Sequence, residues 1–135
     1  MLRGMATVTY YADDHEAAKA WYTEFLGAEP YFVVPGYFEF RIGDYQHELG
    51  VIDRKYAPGA QAEPGGQVVR WHVDDLEATF ARLLDMGAKE FEPITVRGEG
   101  FVTASVVDPF GNVLGIMTNA HYLAMLEVSP GTTGS

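Results

Sequence analysis

An internal repeat is the feature of this sequence that most constrains its fold. Residues 10–31, YYADDHEAAKAWYTEFLGAEPY, resemble residues 71–91, WHVDDLEATFARLLDMGAKEF, at an offset of about 60 residues. Both copies contain the motif Asp-Asp-x-Glu-Ala and, further along the chain, a Gly-Ala pair. Self-similarity of this kind predicts two copies of one structural unit, so it governs how every element is assigned.

Each copy predicts a strand that leads into an amphipathic helix. The runs MATVTYY and QVVRWHV are rich in β-branched and aromatic residues, which favour strands. Two acidic pairs then have the spacing of a capping box, whose side chains bond free N–H groups of the first helical turn: Asp13 with Glu16, and Asp74 with Glu77. Gly27 and Gly87 suit the left-handed position that ends a helix. The predicted core stripes are Ala18, Trp21, Tyr22 and Phe25 in the first helix and Leu76, Phe80, Leu83 and Leu84 in the second.

Three further extended runs follow each helix, so each half of the chain reads as βαβββ and the fold class is α+β. The runs lie at about 30–34, 37–42 and 46–53, and at about 91–96, 101–107 and 113–118. Between the last two of them, DPFG at 108–111 has the residues preferred in a type I turn and predicts a hairpin corner.

The predicted organisation is a single domain over residues 1–135 that contains two modules. The parts are module one at about 5–56, a Pro- and Gly-rich linker at about 57–66, module two at about 67–118, and a C-terminal segment at 119–135. We expect that segment to contain a short helix capped by Asn119 and a frayed tail.

Composition argues against several classes of partner. The 135 residues carry a formal charge of −10, with only nine Lys and Arg residues scattered along the chain. Nucleic acids and anionic membranes require clustered basic side chains, so neither is an expected partner. The sequence has no cysteine, no apolar run long enough to span a bilayer and no signal-peptide core. We therefore expect a soluble, cytoplasmic protein.

The tandem βαβββ repeat, the Trp-Tyr-Thr-x-Phe-Leu-Gly end of the first helix and the ending DPFGNVLGI resemble the vicinal oxygen chelate superfamily over about residues 5–118. That superfamily includes glyoxalase I, extradiol dioxygenases, fosfomycin-resistance enzymes and bleomycin-resistance binding proteins. The resemblance implies that the two modules form a curved mixed sheet around a central cavity, and that the protein is a homodimer.

The resemblance also identifies the positions at which enzymes of the superfamily hold a divalent metal with His and Glu side chains. Here those positions are occupied by Thr7, Gly50, Val68 and Gly115. Glycine and valine have no donor atom in their side chains, and a neutral threonine hydroxyl alone is too weak to anchor such an ion. We therefore predict no metal and no other cofactor.

Strand alternation predicts which residues line the cavity, because successive side chains point to opposite faces. The residues predicted to face the helices include Val8, Tyr10, Phe38, Phe40, Leu49, Val51, Leu114 and Ile116. The predicted ligand-binding residues are Thr7, Thr9, Tyr11, Tyr37, Glu39, Arg41, Glu48, Gly50, Val68, Arg70, His72, Gly115 and Met117. Thr103 and Ser105 are expected on the same side as the second-module members of this set.

Two of these assignments have structural alternatives. Glu39, Arg41, Glu48 and Arg70 could simply pair with one another, and His72 could be a hydrogen-bonded histidine at the rim. His15 and His121 are expected to be exposed, and His47 is expected on the helix side or at a strand end.

Three functions remain open at this point. The first is a small-molecule binding protein of the glyoxalase and bleomycin-resistance type, which binds an antibiotic or metabolite without metal. Aromatic side chains would stack on a planar group of the ligand, and Glu39 and Glu48 would favour a cationic one. The second is a glyoxalase-like lyase, isomerase or dioxygenase with a relocated metal site, or with Glu48 or His72 as a metal-free general base. The third is a regulatory or interaction domain that has no ligand.

Overall fold

The structure is a computed structural model that describes residues 1, 3–57, 59 and 63–128. Four residues of the predicted linker at 57–66 lie outside the described residues, as does the tail at 129–135. The chain divides into two compact units. The first unit comprises residues up to Pro64 together with Phe110–Asn112, and the second comprises Gly65–Pro109 and the chain from Val113 onward.

The first unit is built on a four-stranded mixed sheet. Its elements are β1 (Thr7–Ala12), α1 (His15–Leu26), β2 (Phe32–Val34), β3 (Tyr37–Ile42) and β4 (His47–Asp53), followed by a 3-10 turn at Arg54–Tyr56. The strand order is β1-β4-β3-β2, with β1 parallel to β4 and the other neighbours antiparallel. The helix α1 lies in the connection that leads from β1 toward its parallel neighbour β4, and it packs on one face of the sheet.

The second unit repeats this arrangement. Its elements are β5 (Arg70–His72), α2 (Leu76–Asp85), β6 (Lys89–Gly98), β7 (Phe101–Val107), β8 (Val113–Asn119) and α3 (Ala120–Glu127). The strand order is β5-β8-β7-β6, again with one parallel pair, β5 with β8. The α+β class and the two βαβββ modules are confirmed, as are the hairpin corner before β8 and the short helix capped by Asn119. None of the described helices is long and apolar enough to cross a membrane.

Both long helices begin one residue later than the sequence predicted. The capping side chains belong to Asp14, which accepts from the N–H of Ala17, and Asp75, which accepts from the N–H of Ala78, each at 3.0 Å. The assignment of Asp13 and Asp74 as caps was therefore wrong. An N-cap side chain accepts from the N–H two or three residues ahead. In each Asp-Asp pair it is the second carboxylate that lies three residues before the bonded N–H, which belongs to Ala17 or Ala78. The left-handed helix ends are confirmed, with φ of 68° at Gly27 and 95° at Gly87.

The helix-facing side of each sheet forms the core of its unit. In the first unit six residues of β1, β3 and β4 that were predicted to pack are at most 8% exposed: Val8, Tyr10, Phe38, Phe40, Leu49 and Val51. Alternation also predicted Ala6 and Ile42 on this side, but Ala6 is exposed and Ile42 is half-buried because they lie at or beyond strand ends. Ala18 and Tyr22 of α1 are fully buried. The second core combines Leu76, Phe80 and Leu83 with Ala104, Val106, Leu114 and Ile116. Leu84 was wrongly placed in the core: it is 39% exposed, because it lies about 100° around the helix from the buried Leu83.

The turn before β8 contributes a side chain to the first unit. Asn112 accepts a hydrogen bond from the backbone N–H of Tyr11 at 3.0 Å and donates to the carbonyl of Tyr11 at 2.9 Å. β1 is an edge strand, so the N–H and C=O groups on its outer side have no strand partner. The side-chain amide of Asn112 takes the place of such a partner at Tyr11. Phe110, two residues earlier, contacts the ring of Trp21 at a centroid distance of 6.2 Å.

Candidate functional site

The predicted ligand-binding residues of the first unit lie together on the face of its sheet that is turned away from α1. We call this the distal face, and use the same name for the face of the second sheet turned away from α2. The strand register places Arg41 opposite Glu48, Glu39 opposite Gly50 and Tyr37 opposite Ile52, with Thr7 and Thr9 on the neighbouring strand. Tyr11 belongs to the same alternation. The face predicted from alternation is thus the face that these side chains occupy.

A connected polar network covers this face. The Tyr37 hydroxyl donates to Glu39 Oε1 at 2.7 Å, and the Thr7 hydroxyl donates to Glu48 Oε1 at 2.8 Å. The Arg41 guanidinium lies between the two carboxylates, 3.6 Å from Glu39 Oε2 and 3.6 Å from Glu48 Oε2. The ion-pairing alternative therefore describes three of the four residues for which it was raised. Two carboxylates share one guanidinium, which leaves a formal charge of −1 on this network.

Aromatic side chains adjoin the network. The Arg41 guanidinium carbon lies 3.9 Å from the ring centroid of Tyr31, within the range of a cation–π contact. The Phe32 ring is 6.4 Å from that of Tyr37. Tyr31 is 65% exposed and Phe32 is 48% exposed. Neither residue was predicted from the sequence. Tyr31 precedes the short strand β2, and the pairing of Phe32 with Glu39 depends on the register between β2 and β3.

The Tyr37 ring lies directly over the Gly50 backbone. A methyl carbon added at position 50 would lie 2.6 Å from Cε1 of that ring, which is closer than nonbonded carbons approach. Burial, together with the hydrogen bond to Glu39, raises the pKa of Tyr37 to about 12. The phenol is therefore neutral at physiological pH, where it acts as a hydrogen-bond donor and not as a base.

A second network covers the distal face of the second sheet. Glu92 Oε1 accepts hydrogen bonds from the Arg70 guanidinium at 2.9 Å and from the Ser105 hydroxyl at 2.8 Å. Arg97 Nε donates to the Thr103 hydroxyl at 3.1 Å. The hydrogen bond from Ser105 lowers the pKa of Glu92, aided by the two arginines and opposed by burial. Two guanidinium groups around one carboxylate leave a formal charge of +1 here.

Glu92 and Arg97 were not predicted as site residues. Three irregularities shift the register between β6 and β7, so simple alternation along β6 fails. The signal that could have identified Glu92 is its position opposite Ser105, a residue already expected on this face.

His72 occupies a covered position in the second unit. Its side chain is only 9% exposed, and its ring lies parallel to that of Tyr122 in α3 at a centroid distance of 4.9 Å. Nδ1 accepts a hydrogen bond from the backbone N–H of Asn119 at 3.1 Å, which requires that this nitrogen carry no proton. His72 is therefore a hydrogen-bonded histidine, which was the alternative to a ligand contact. The contact of His72 with a ligand stays a prediction.

The remaining predicted residues are placed as follows. Gly115 lies opposite Arg70 and Met117 lies opposite His72 in the pairing of β5 with β8. A methyl carbon at Gly115 would lie 2.6 Å from the Val69 carbonyl oxygen and 3.1 Å from Cγ1 of Val68. Outside these networks, His121 is exposed as expected. His15 was wrongly expected to be exposed: its Nε2 lies 2.9 Å from the Val51 carbonyl oxygen, and its ring packs on Phe38 at 4.8 Å.

The residues at the metal-ligand positions do not fit a divalent metal. The Thr7 hydroxyl is used by Glu48, and Gly50 and Gly115 are each so closely approached that a side chain at either position would collide with its neighbours. Within the described ranges no three His, Asp or Glu side chains are grouped so that they could hold a metal ion.

Two units with the same strand order place this chain in a class of tandem βαβββ folds. The sequence profile of the Glyoxalase/Bleomycin resistance protein/Dioxygenase superfamily matches residues 4–116, and the chain belongs to that superfamily. A search of curated proteins found no match.

Solved structures similar to this chain carry different functional names. One is a bleomycin resistance determinant encoded on the transposon Tn5, with 22% identity, a TM-score of 0.64 and coverage of 87% of this chain and 99% of that chain. Another is a lactoylglutathione lyase from Agrobacterium tumefaciens, with 23% identity, a TM-score of 0.65 and coverage of 86% and 93%. A glyoxalase-related enzyme from Fulvimarina pelagi has 22% identity, a TM-score of 0.69 and coverage of 87% and 89%. These likenesses establish the fold.

The contact between Tyr37 and Gly50 predicts a conditional effect of mutation. Gly50→Ala should destabilise the protein by about 1–3 kcal/mol, because the new methyl group overpacks against the ring. In a Tyr37→Ala background the same change should cost nothing or stabilise, since alanine is favoured over glycine in strands. Chemical denaturation of the four proteins in this cycle measures the coupling. Gly115→Ala is the comparison, and Tyr37→Ala should not rescue it because backbone blocks that site. Equal costs of Gly50→Ala in both backgrounds would show that the ring is not the obstacle.

The lowered pKa of Glu92 predicts a pH-dependent contribution to stability. Glu92→Gln should reduce the free energy of unfolding at neutral pH by about 1–2 kcal/mol, because hydrogen bonds to an ionised group are lost. A carboxyl group whose pKa falls on folding stabilises fully above its ordinary value of 4.5, and this contribution is lost as the pH drops through the lowered value. Urea unfolding of parent and variant between neutral and acidic pH should show their difference shrinking below pH 4.5. Glu90→Gln, at an exposed site on the same strand, should show no such difference. A Glu92→Gln deficit that persists unchanged in acid would refute the assignment.

Proposed function

We propose that this protein binds a small organic molecule that carries a cationic group beside an aromatic or apolar one, and that it does so without a metal. The observation that carries the proposal is the distal face of the first sheet, where two carboxylates share one arginine next to exposed aromatic rings. An excess negative charge beside aromatic faces suits a ligand cation that is attracted by both. The fold shared with a bleomycin resistance determinant supports an antibiotic or metabolite as the ligand.

Each group of the network has a role in this proposal. Glu39 and Glu48 attract the cation, and their side chains are 12% and 33% exposed, so the first lies in the less solvated surroundings. Tyr31 and Phe32 supply stacking surface at the edge of the face. Tyr37 holds Glu39 in place through its hydroxyl. Arg70 and His72, which lie in the second unit, remain proposed contacts from strand alternation.

The expected effect of neutralising a carboxylate follows from this arrangement. Glu48→Gln should weaken binding of a cationic ligand by about 1.5–3 kcal/mol, the scale of a charge-assisted hydrogen bond. Bleomycin and benzyltrimethylammonium are suitable probes, first in a thermal-shift screen and then by calorimetry. Tyr37→Ala should also weaken binding, because it frees Glu39. Glu29→Gln removes the same charge from an exposed position in the same unit and should leave affinity unchanged.

Two results would count against this function. If both Glu48→Gln and Tyr37→Ala bind the probes as tightly as the parent protein, the site lies elsewhere. If no cationic or aromatic compound binds at all, an interaction domain without a ligand becomes the better account.

The alternative function is a glyoxalase-like lyase, isomerase or dioxygenase, and the lactoylglutathione lyase among the similar folds favours it. The two residues considered as general bases are engaged in other contacts. Glu48 pairs with Thr7 and Arg41, and the ring of His72 stacks on that of Tyr122. Turnover of α-carbonyl substrates, assayed with and without added Zn, Ni or Mn and abolished by Glu48→Gln, would establish the enzyme instead.

We also propose that the protein is a cytoplasmic homodimer, as the family resemblance implies. Light scattering at micromolar concentration should give twice the chain mass of 14.9 kDa. A particle with the mass of one chain would contradict the dimer.

A further inference from the structure

The distal face of the second sheet concentrates positive charge in an acidic protein. The chain carries −10 overall, and two of its nine basic residues, Arg70 and Arg97, meet around the single carboxylate of Glu92. Their side chains are 23% and 52% exposed, so neither guanidinium is sealed in the core.

Glu92 uses one carboxylate oxygen for other partners. Its Oε1 accepts hydrogen bonds from both Arg70 and Ser105. Arg70 is held from a second side by the Ala104 carbonyl oxygen at 3.5 Å. The nearest approach of Arg97 to the other carboxylate oxygen is 4.0 Å, which is too long for a hydrogen bond. Glu92 therefore balances Arg70 but does not satisfy the terminal nitrogens of Arg97.

One hydrogen bond orients the Arg97 side chain, and it uses only Nε of the guanidinium. Its Nε donates to the hydroxyl of Thr103, a residue only 5% exposed, and this bond fixes the plane of the guanidinium. Among the residues that the structure describes, its terminal nitrogens donate no hydrogen bond. An arginine whose stem is fixed while its planar donors stay free is preorganised for bidentate contact with an oxyanion.

We infer that the distal face of the second sheet binds an oxyanion, the carboxylate or phosphate of a small organic molecule, through the terminal nitrogens of Arg97, on a network whose net formal charge is +1. The lowered pKa of Glu92 is consistent with this charge arrangement, since that carboxylate stays ionised and keeps Arg70 in position. The inference goes beyond the proposed cation-binding face and rests on the second unit alone.

The test uses the full chain and two probes, inorganic phosphate and acetate, in separate NMR or calorimetric titrations at about 0.15 M ionic strength. At least one probe should bind saturably and shift the side-chain signals of Arg97. Arg97→Gln should weaken that binding about tenfold or more, the scale of a lost charge-assisted hydrogen bond. Lys89→Gln removes the same charge from an exposed site on the same strand, and should change affinity by less than about twofold because exposed charges are screened.

Further variants and probes separate the outcomes. Arg97→Lys keeps the charge but lacks the planar pair of donors, so weaker binding by this variant supports the geometry. The probe that saturates identifies carboxylate or phosphate as the preferred group. Failure of both probes to saturate, or equal weakening by Arg97→Gln and Lys89→Gln, would overturn the inference. Benzyltrimethylammonium binding should be unaffected by Arg97→Gln, so a failed oxyanion test and a failed cation test can be told apart.

Discussion

The packing of each long helix against one face of its own four-stranded sheet is the interaction on which the rest of the structure depends. It buries Phe38, Phe40 and Leu49 in the first unit and Val106, Leu114 and Ile116 in the second. Apolar burial on this side stabilises each sheet. The distal faces can therefore carry charged and hydroxyl side chains that contribute little to the core. Function can change there while the fold is retained.

The two units use the same strand order but opposite charge balance. The first distal face has two carboxylates around one guanidinium, and the second has two guanidinium groups around one carboxylate. In both, hydroxyl groups donate to the carboxylates and limit the acceptors left for arginine: Thr7 and Tyr37 in the first and Ser105 in the second. The same strand arrangement thus carries a different charge balance on each distal face.

Most of the fold was predictable because its determinants are local. Alternation in β3 and β4 and the repeated Asp-Asp-x-Glu-Ala motif depend on residues close together in sequence. The candidate site was predictable only where strands are regular. Glu92 and Arg97 lie on β6, whose register shifts break the two-residue period, and Tyr31 lies before β2 and reaches Arg41 across the sheet. The contact between Asn112 and Tyr11 spans 101 residues, and no local pattern encodes it.

The close contact between Tyr37 and Gly50 also restricts how this chain could evolve. The family resemblance implies a metal-donor side chain at the position of Gly50 in metal-binding relatives, yet here the tyrosine ring fills that volume. A glutamate introduced first would be rejected on steric grounds, so the tyrosine would have to be replaced beforehand. That earlier step would itself release Glu39 from its hydrogen bond. Introducing a donor side chain at this position therefore first removes one hydrogen bond of the present network, a mutational order set by a single aromatic ring.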